Sequence, residues 1–82
     1  MKHVSHRNII ARLKRAHGHL AGILTMLDEG RPCVDLAQQL HAVENAISNA
    51  KRELVNDHIE HCLGEMEPSD AVREFKALSK YL

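Results

Sequence analysis

The residues of this 82-residue chain best suited to bind something are Cys33, His58, His61 and Cys62. The last three fall in VNDHIEHCL, near the end of a long helical pattern. At 3.6 residues per turn His58 and Cys62 share a face, with His61 one step round the helix. Thiolates and imidazoles are good ligands for soft and borderline metals, but a closed site needs three or four donors and this stretch aligns only two. Cys33 supplies the next. The 25 residues from Cys33 to His58 wind to within about 20° of whole turns, which places Cys33, His58 and Cys62 in a sector of roughly 40°. Along the axis, however, Cys33 and His58 stand about 37 Å apart. One straight helix cannot close that distance. Two antiparallel copies crossing near Ala46 and Ile47 can, and Ala42, Ala46, Ser48 and Ala50 are small enough to admit a close crossing. The site is then completed in trans and occurs twice per dimer. Taken singly, cysteines on a helix flank are more often small buried hydrophobes, and histidines late in a helix simply suit the C-terminal end of its dipole. As one constellation, C-x24-H-x3-C on one face with antiparallel complementarity favours ligands.

The elements that must position these residues are helices. No β-branched alternation is present, and punctuation divides the chain into three helices at about 5–29, 33–63 and 69–81. Ser5 caps the first, EGRPC with Gly30 and Pro32 turns the chain, Gly64 closes the second, and Ser69 caps the third. Ile9, Leu13, Ala16, Leu20, Ile23 or Leu24, and Leu27 recur at helical spacing. Leu36, Leu40, Val43, Ile47, Ala50 and Leu54 do so with a strict 3.5-residue period, which is a coiled-coil seam. Val72, Phe75, Leu78 and Leu82 give the third helix an apolar stripe that covers the bundle. The expectation is a single all-α domain over residues 1–82. Its second helix, thirty residues or roughly 45 Å long, outgrows a globule of this size and needs a partner chain.

Formal net charge is zero, yet the first 27 residues carry Lys2, Arg7, Arg12, Lys14 and Arg15 and no acid. On the first helix Asn8, Arg12, Arg15 and His19 form a row away from the apolar stripe, flanked by Arg7 and Lys14, and Lys51 and Arg52 on the second extend the patch. A basic row is often only a solvated face; the lack of acids here points to phosphate. With Phe75 and Tyr81 the only aromatic residues, both expected in the third helix, a base-stacking platform for single strands is not expected. Gly18 and Gly22 allow close helix packing, and His17 and His41 sit near helix seams. No nucleophile with its base and orienter and no phosphate loop is present, so no enzyme is expected. Two cysteines build no disulfide framework, and MKHVSHRNII holds no apolar run for a leader or membrane span, which indicates a cytoplasmic protein with reduced thiols.

The run RLKRAHGHLAGILTMLDEGRPCVDLAQQLHAVENAISNAKRELVNDHIEHCL resembles the CsoR/RcnR/FrmR family of bacterial transcriptional repressors, most specifically at C-x24-H-x3-C, DLAQQL and RLKRAHGHL. The likeness covers about residues 5 to 64. It implies antiparallel helical dimers that assemble into homotetramers and hold double-stranded operator DNA until an inducer occupies the site. Cys33, His58 and Cys62 stand where copper sensors of the family hold their ligands, and Arg12 and Arg15 resemble its DNA-contacting positions. Where formaldehyde sensors place an N-terminal proline, this chain has Lys2; sulfur sensors keep both cysteines without the histidine; the outer-shell tyrosine of copper sensors is here Pro32. Nickel and cobalt sensors add an N-terminal histidine, a part open to His3 or His6, with His61 a further candidate donor. Two thiolates and an imidazole suit Cu(I), whereas Ni(II), Co(II) or Zn(II) takes more nitrogen or closed four-coordination. Cu(I) is the expected inducer. The alternatives are a Ni(II)- or Co(II)-responsive repressor that recruits N-terminal histidine and a formaldehyde or persulfide sensor acting through its thiols.

Overall fold

Gly30 ends the first long helix in the left-handed conformation, with φ 69°. Around it the backbone closes a Schellman turn: the Arg31 amide donates to the Met26 carbonyl and the Gly30 amide to that of Leu27, both at 3.1 Å. Pro32 follows and cannot continue the helix, but its carbonyl accepts the Leu36 amide at 3.1 Å and so starts the next one. The computed structural model describes residues 4–61 and 63–82. It contains α1 (Val4–Asp28), α2 (Cys33–His61), a single 3-10 turn (Leu63–Glu65) and α3 (Pro68–Ser79), with no strand among the described residues. The all-α expectation therefore holds.

Its boundaries differ in three places. Ser5 lies inside α1, which already begins at Val4. Gly64 falls in the 3-10 turn and has no positive φ, so α2 ends by tightening rather than by a left-handed cap. At α3 the capping position is Glu67, in extended backbone, with Pro68 at the first turn where its missing amide is no loss. Ser69 is thus within the helix.

α1 and α2 pack antiparallel as a hairpin, and their apolar rows divide between two environments. Ile9, Ala16 and Ile23 on α1, and Leu36, Val43 and Ala50 on α2, each spaced by seven, are buried. Ile23, Leu36 and Val43 form the central cluster, with Met26 packed on it. The alternate rows, Leu13, Leu20 and Leu27 on α1 and Leu40, Ile47 and Leu54 on α2, are 40–53% exposed. Half of the 3.5-residue seam therefore closes the hairpin and half does not. Three smaller expectations are corrected by the same packing. Ala50 is buried and Ala46 lines the groove facing α1, so neither is available for a close crossing with another chain. A methyl added at Gly18 or Gly22 would meet nothing within 4 Å, so neither glycine admits a close contact within the chain. His17 is exposed and His41 is 73% exposed, away from any core.

α3 has no buried residue, and Val72 and Phe75 on its apolar side are 56% and 45% exposed. α3 ends at Ser79, short of the expected residue 81, and the residues that follow lie over the middle of α2, where Tyr81 and Leu82 share a hollow with Ser48, Lys51, Arg52 and Asn56. The chain extends over 54 × 24 × 13 Å with a radius of gyration of 16.9 Å, against about 12 Å for a compact domain of this length.

Candidate metal centre and nucleic-acid interface

Cys33 is the first residue of α2; it is exposed and in no disulfide. His58 stands in the last turn of the same helix, about 37 Å away along the axis. The structure thus keeps these two predicted ligands at opposite ends of one helix. Cys62 and His3 lie outside the described residues. Among the described residues no three His, Cys, Asp or Glu side chains converge on a position that could hold a metal ion.

Around His58 the surroundings are specific. Its side chain is 27% exposed, but Nε2 is buried and has no hydrogen-bond partner. Glu74 of α3 brings Oε1 to 3.1 Å from that nitrogen, close enough to attract a protonated ring yet off the direction a hydrogen bond requires. An imidazole nitrogen shielded from water and without a hydrogen bond is a donor available to a cation. The donor set therefore fits a soft metal: a free exposed thiol at one end of α2, and an unsatisfied ring nitrogen one turn before a second cysteine in the sequence at the other.

The two further candidate histidines gather beside this end. Asp57, 6% exposed, receives His6 from α1, with Nε2 at 3.4 Å from Oδ2, and His61, with Nε2 at 3.6 Å from Oδ1. His61 also lies 3.7 Å from Glu60. Asp57 thereby ties the start of α1 to the end of α2.

On one side of the hairpin a groove runs between α1 and α2. Its upper part, about 750 Å³, is lined by Asn8, Arg12, Arg15 and His19 from α1 and by Ala46 and Asn49 from α2. Below it Arg12 and Asn49 continue into a hollow with Arg52, Glu53 and Asn56. The predicted row Asn8, Arg12, Arg15, His19 is thus real, but it flanks the interface with α2 instead of pointing away from it. His19 donates through Nε2 to Gln39 Oε1 at 2.5 Å, bridging the two helices. Arg7 and Lys14 are exposed outside the groove, and Lys51 lies in the hollow beneath Tyr81. Wound at 100° per residue, Cys33, His58 and the half-exposed row fall on the other flank of the seam from Arg12, His19, Asn49 and Glu53.

Glu53, Asp57, Glu74, Gln39 and Asn49 were not anticipated as neighbours of these sites. One signal was available: Asn49, Glu53 and Asp57 recur at four-residue steps on one face of α2, a polar row that an antiparallel hairpin sets against the basic row of α1.

The description "Metal-sensitive transcriptional repressor" matches residues 5–82. A copper-sensing transcriptional repressor, CsoR, of Mycobacterium ulcerans is 43% identical over 56 residues, which cover 68% of this chain and 48% of that protein. The CsoR of Bacillus subtilis is 36% identical over 80 residues, 88% of this chain and 79% of that one. The copper-sensing repressor RicR of Mycobacterium tuberculosis is 34% identical over 56 residues, 68% of this chain and 58% of its own length. The chain spans about half the length of the mycobacterial CsoR proteins it matches. No solved structure matches it significantly. No helix among the described residues is long and apolar enough to cross a membrane. With a match over nearly its whole length and the fold and donor residues described above, the chain belongs to the metal-sensitive transcriptional repressor family.

Proposed function

We propose that this chain is a Cu(I)-responsive repressor, in which two copies pair antiparallel and Cys33 of one protomer meets His58 and Cys62 of its partner. Metal in that set weakens the hold of the basic groove on double-stranded operator DNA. The observation that carries the reading is the placement of Cys33 and His58 at opposite ends of one unbroken helix. Each is an incomplete site, and an antiparallel copy brings each the other's donors.

Pairing is supported by the surface the chain leaves open. A folded monomer of 9.2 kDa exposes about 4,900 Å²; this chain exposes 6403 Å². The excess, about 1,500 Å², surpasses the roughly 800 Å² that one partner contributes to a standard interface. It includes the half-exposed rows on the flank that carries Cys33 and His58. The exposed apolar side of α3, with Val72 and Phe75, offers a second surface that suits a further pairing of dimers into a tetramer.

Two thiolates and an imidazole are soft donors, and Cu(I) accepts three of them without a fourth. The relatives' names agree, since all three proteins compared above are copper sensors. On the other flank Arg12, Arg15 and Arg52, with Arg7 and Lys14 exposed on α1 outside the groove, supply cations for phosphate, and among the described residues the groove carries no protruding helix to enter a base-pair groove; Lys51 lies apart, beneath Tyr81. DNA recognition then rests on backbone contacts and duplex shape. A second reading, with Ni(II) or Co(II) as inducer, is favoured by one observation: His6 and His61 both stand beside Asp57, next to His58.

Anaerobic titration with Cu(I) and with Ni(II), followed by absorption and by the mobility of a duplex from upstream of the gene, tests this function. One tightly held Cu(I) per protomer with release of the duplex is expected. Release by Ni(II) and none by Cu(I) would replace the first reading with the second.

A further inference from the structure

The groove between α1 and α2 is not uniformly basic. Around Asn8, Arg15, His19 and Asn49 its lining holds no carboxylate among the described residues, whereas below Arg12 it meets Glu53, with Asp57 and Glu60 beyond. Arg12 lines both parts and marks their junction. Across the groove Glu53 Oε2 holds Arg12 Nε at 3.2 Å, with the two side chains 30% and 51% exposed. Any phosphate that enters along the basic part therefore finds this guanidinium already paired.

Such a pair is suited to exchange. A partly exposed ion pair contributes only about 0–1 kcal/mol, so a phosphate diester, whose binding also releases condensed counterions, can displace the carboxylate. A guanidinium has five N–H donors in a planar fork that pairs with two oxygens of a carboxylate or of a phosphate, so it can pass from one to the other. The remaining carboxylate does not vanish when displaced; it stays at the junction and disfavours the incoming charge.

We propose that Glu53 is an affinity-setting residue of the nucleic-acid surface: its carboxylate occupies Arg12 in the DNA-free protein and gives it up to a phosphate on binding. The inference rests on the reading of the groove as a DNA surface and adds to it an internal competitor. Glu53 limits how tightly the protein holds DNA of any sequence, because exchange at Arg12 involves no base.

The test uses fluorescence anisotropy with two labelled duplexes of equal length, one from upstream of the gene and one of mixed sequence, at several salt concentrations. The proteins are the full chain, Glu53→Gln, Glu53→Asp, Arg12→Ala and the double variant Arg12→Ala with Glu53→Gln, each checked by circular dichroism and melting. Glu53→Gln is expected to bind both duplexes roughly two- to fivefold more tightly for each protomer engaged. The gain shrinks as salt rises, because the pair it removes is itself screened. Glu53→Asp keeps the charge and remains near the parent affinity, and should Glu53→Gln melt early, Glu53→Ala serves the same comparison. In the Arg12→Ala background the gain is lost. An equal gain with and without Arg12 would overturn the proposal in favour of plain charge repulsion, and weaker binding by Glu53→Gln would overturn it by making Glu53 a support for Arg12. If the parent chain binds neither duplex at low salt, the DNA surface itself is refuted and the inference goes with it; unchanged affinity in Glu53→Gln while the parent binds refutes the inference alone.

Discussion

Ile47→Glu is the substitution that most sharply separates the hairpin's own packing from its pairing with a second copy. Ile47 lies near the middle of α2 and is 47% exposed, while the buried set Ile23, Leu36 and Val43 lies elsewhere on the seam. In an antiparallel crossing near this point the two copies of Ile47 approach one another across the two-fold axis, so each change counts twice. Complete burial of an isoleucine side chain is worth about 1.5–3 kcal/mol, and about half remains to be buried, which gives roughly 1 kcal/mol from each copy and 2 from the pair. Glutamate forfeits that and places two like charges at a desolvating contact, adding at least about 2 kcal/mol. The expected loss of about 4 kcal/mol raises the dissociation constant of the dimer by nearly three powers of ten. Sedimentation velocity at micromolar concentration should then show a shift towards the 9.2 kDa monomer, with helicity by circular dichroism largely kept and metal affinity lost. An unchanged assembly that still binds metal would refute the reasoning, because the open row would not be where two copies meet.

Other perturbations test separate parts of the molecule. Arg12→Ala and Arg15→Ala should each weaken binding to the upstream duplex and flatten the slope of log affinity against log salt by about 0.9, with metal affinity nearly unchanged; titrations with equal slopes would move the DNA surface elsewhere. Gly30→Ala meets no atom within 4 Å, so its effect is the backbone's alone, about 1–2 kcal/mol for a side chain held at positive φ. For a domain this small, each kcal/mol is a fall of roughly 4–8 °C in melting midpoint, and an unshifted melt would mean that the turn can be remade. With Cu(I) as inducer, His3→Ala combined with His6→Ala should leave metal-driven release of DNA intact, whereas loss of the response in that double variant would favour Ni(II) or Co(II).

The helices were legible because their signals are local. Gly30 followed by Pro32 fixed the turn, and Cys33 was correctly read as the start of α2. The end of α2 and the start of α3 were less so: a glycine can close a helix or sit in a 3-10 turn, and proline after Glu67 overrode the serine cap expected one residue later. The 3.5-residue period identified Leu36, Leu40, Val43, Ile47, Ala50 and Leu54 as one seam. A period alone carries no information about which partner each row meets, so the division into a buried row and an open row emerged only with the hairpin. For the same reason the basic row was found but its neighbours were not. Arg12 with Glu53 and His6 with Asp57 depend on the register between two helices, and that register is set by the turn joining them. The distance between Cys33 and His58 needed nothing beyond helical rise, which is why the incomplete site was visible from the start.

Completion of the site in trans is tested most directly by a mixed dimer. A Cys33→Ser chain and a chain carrying His58→Ala and Cys62→Ser, each with a different tag, are combined and the mixed species isolated. Both parents should fail to hold Cu(I), whereas the mixed dimer places all the lesions in one of its two sites and leaves the other whole. Anaerobic titration of that species should show about one tightly bound Cu(I) per dimer, half the density of the unaltered protein. A mixed dimer that binds none, with each parent also empty, would contradict the pairing of Cys33 in one protomer with His58 and Cys62 in its partner.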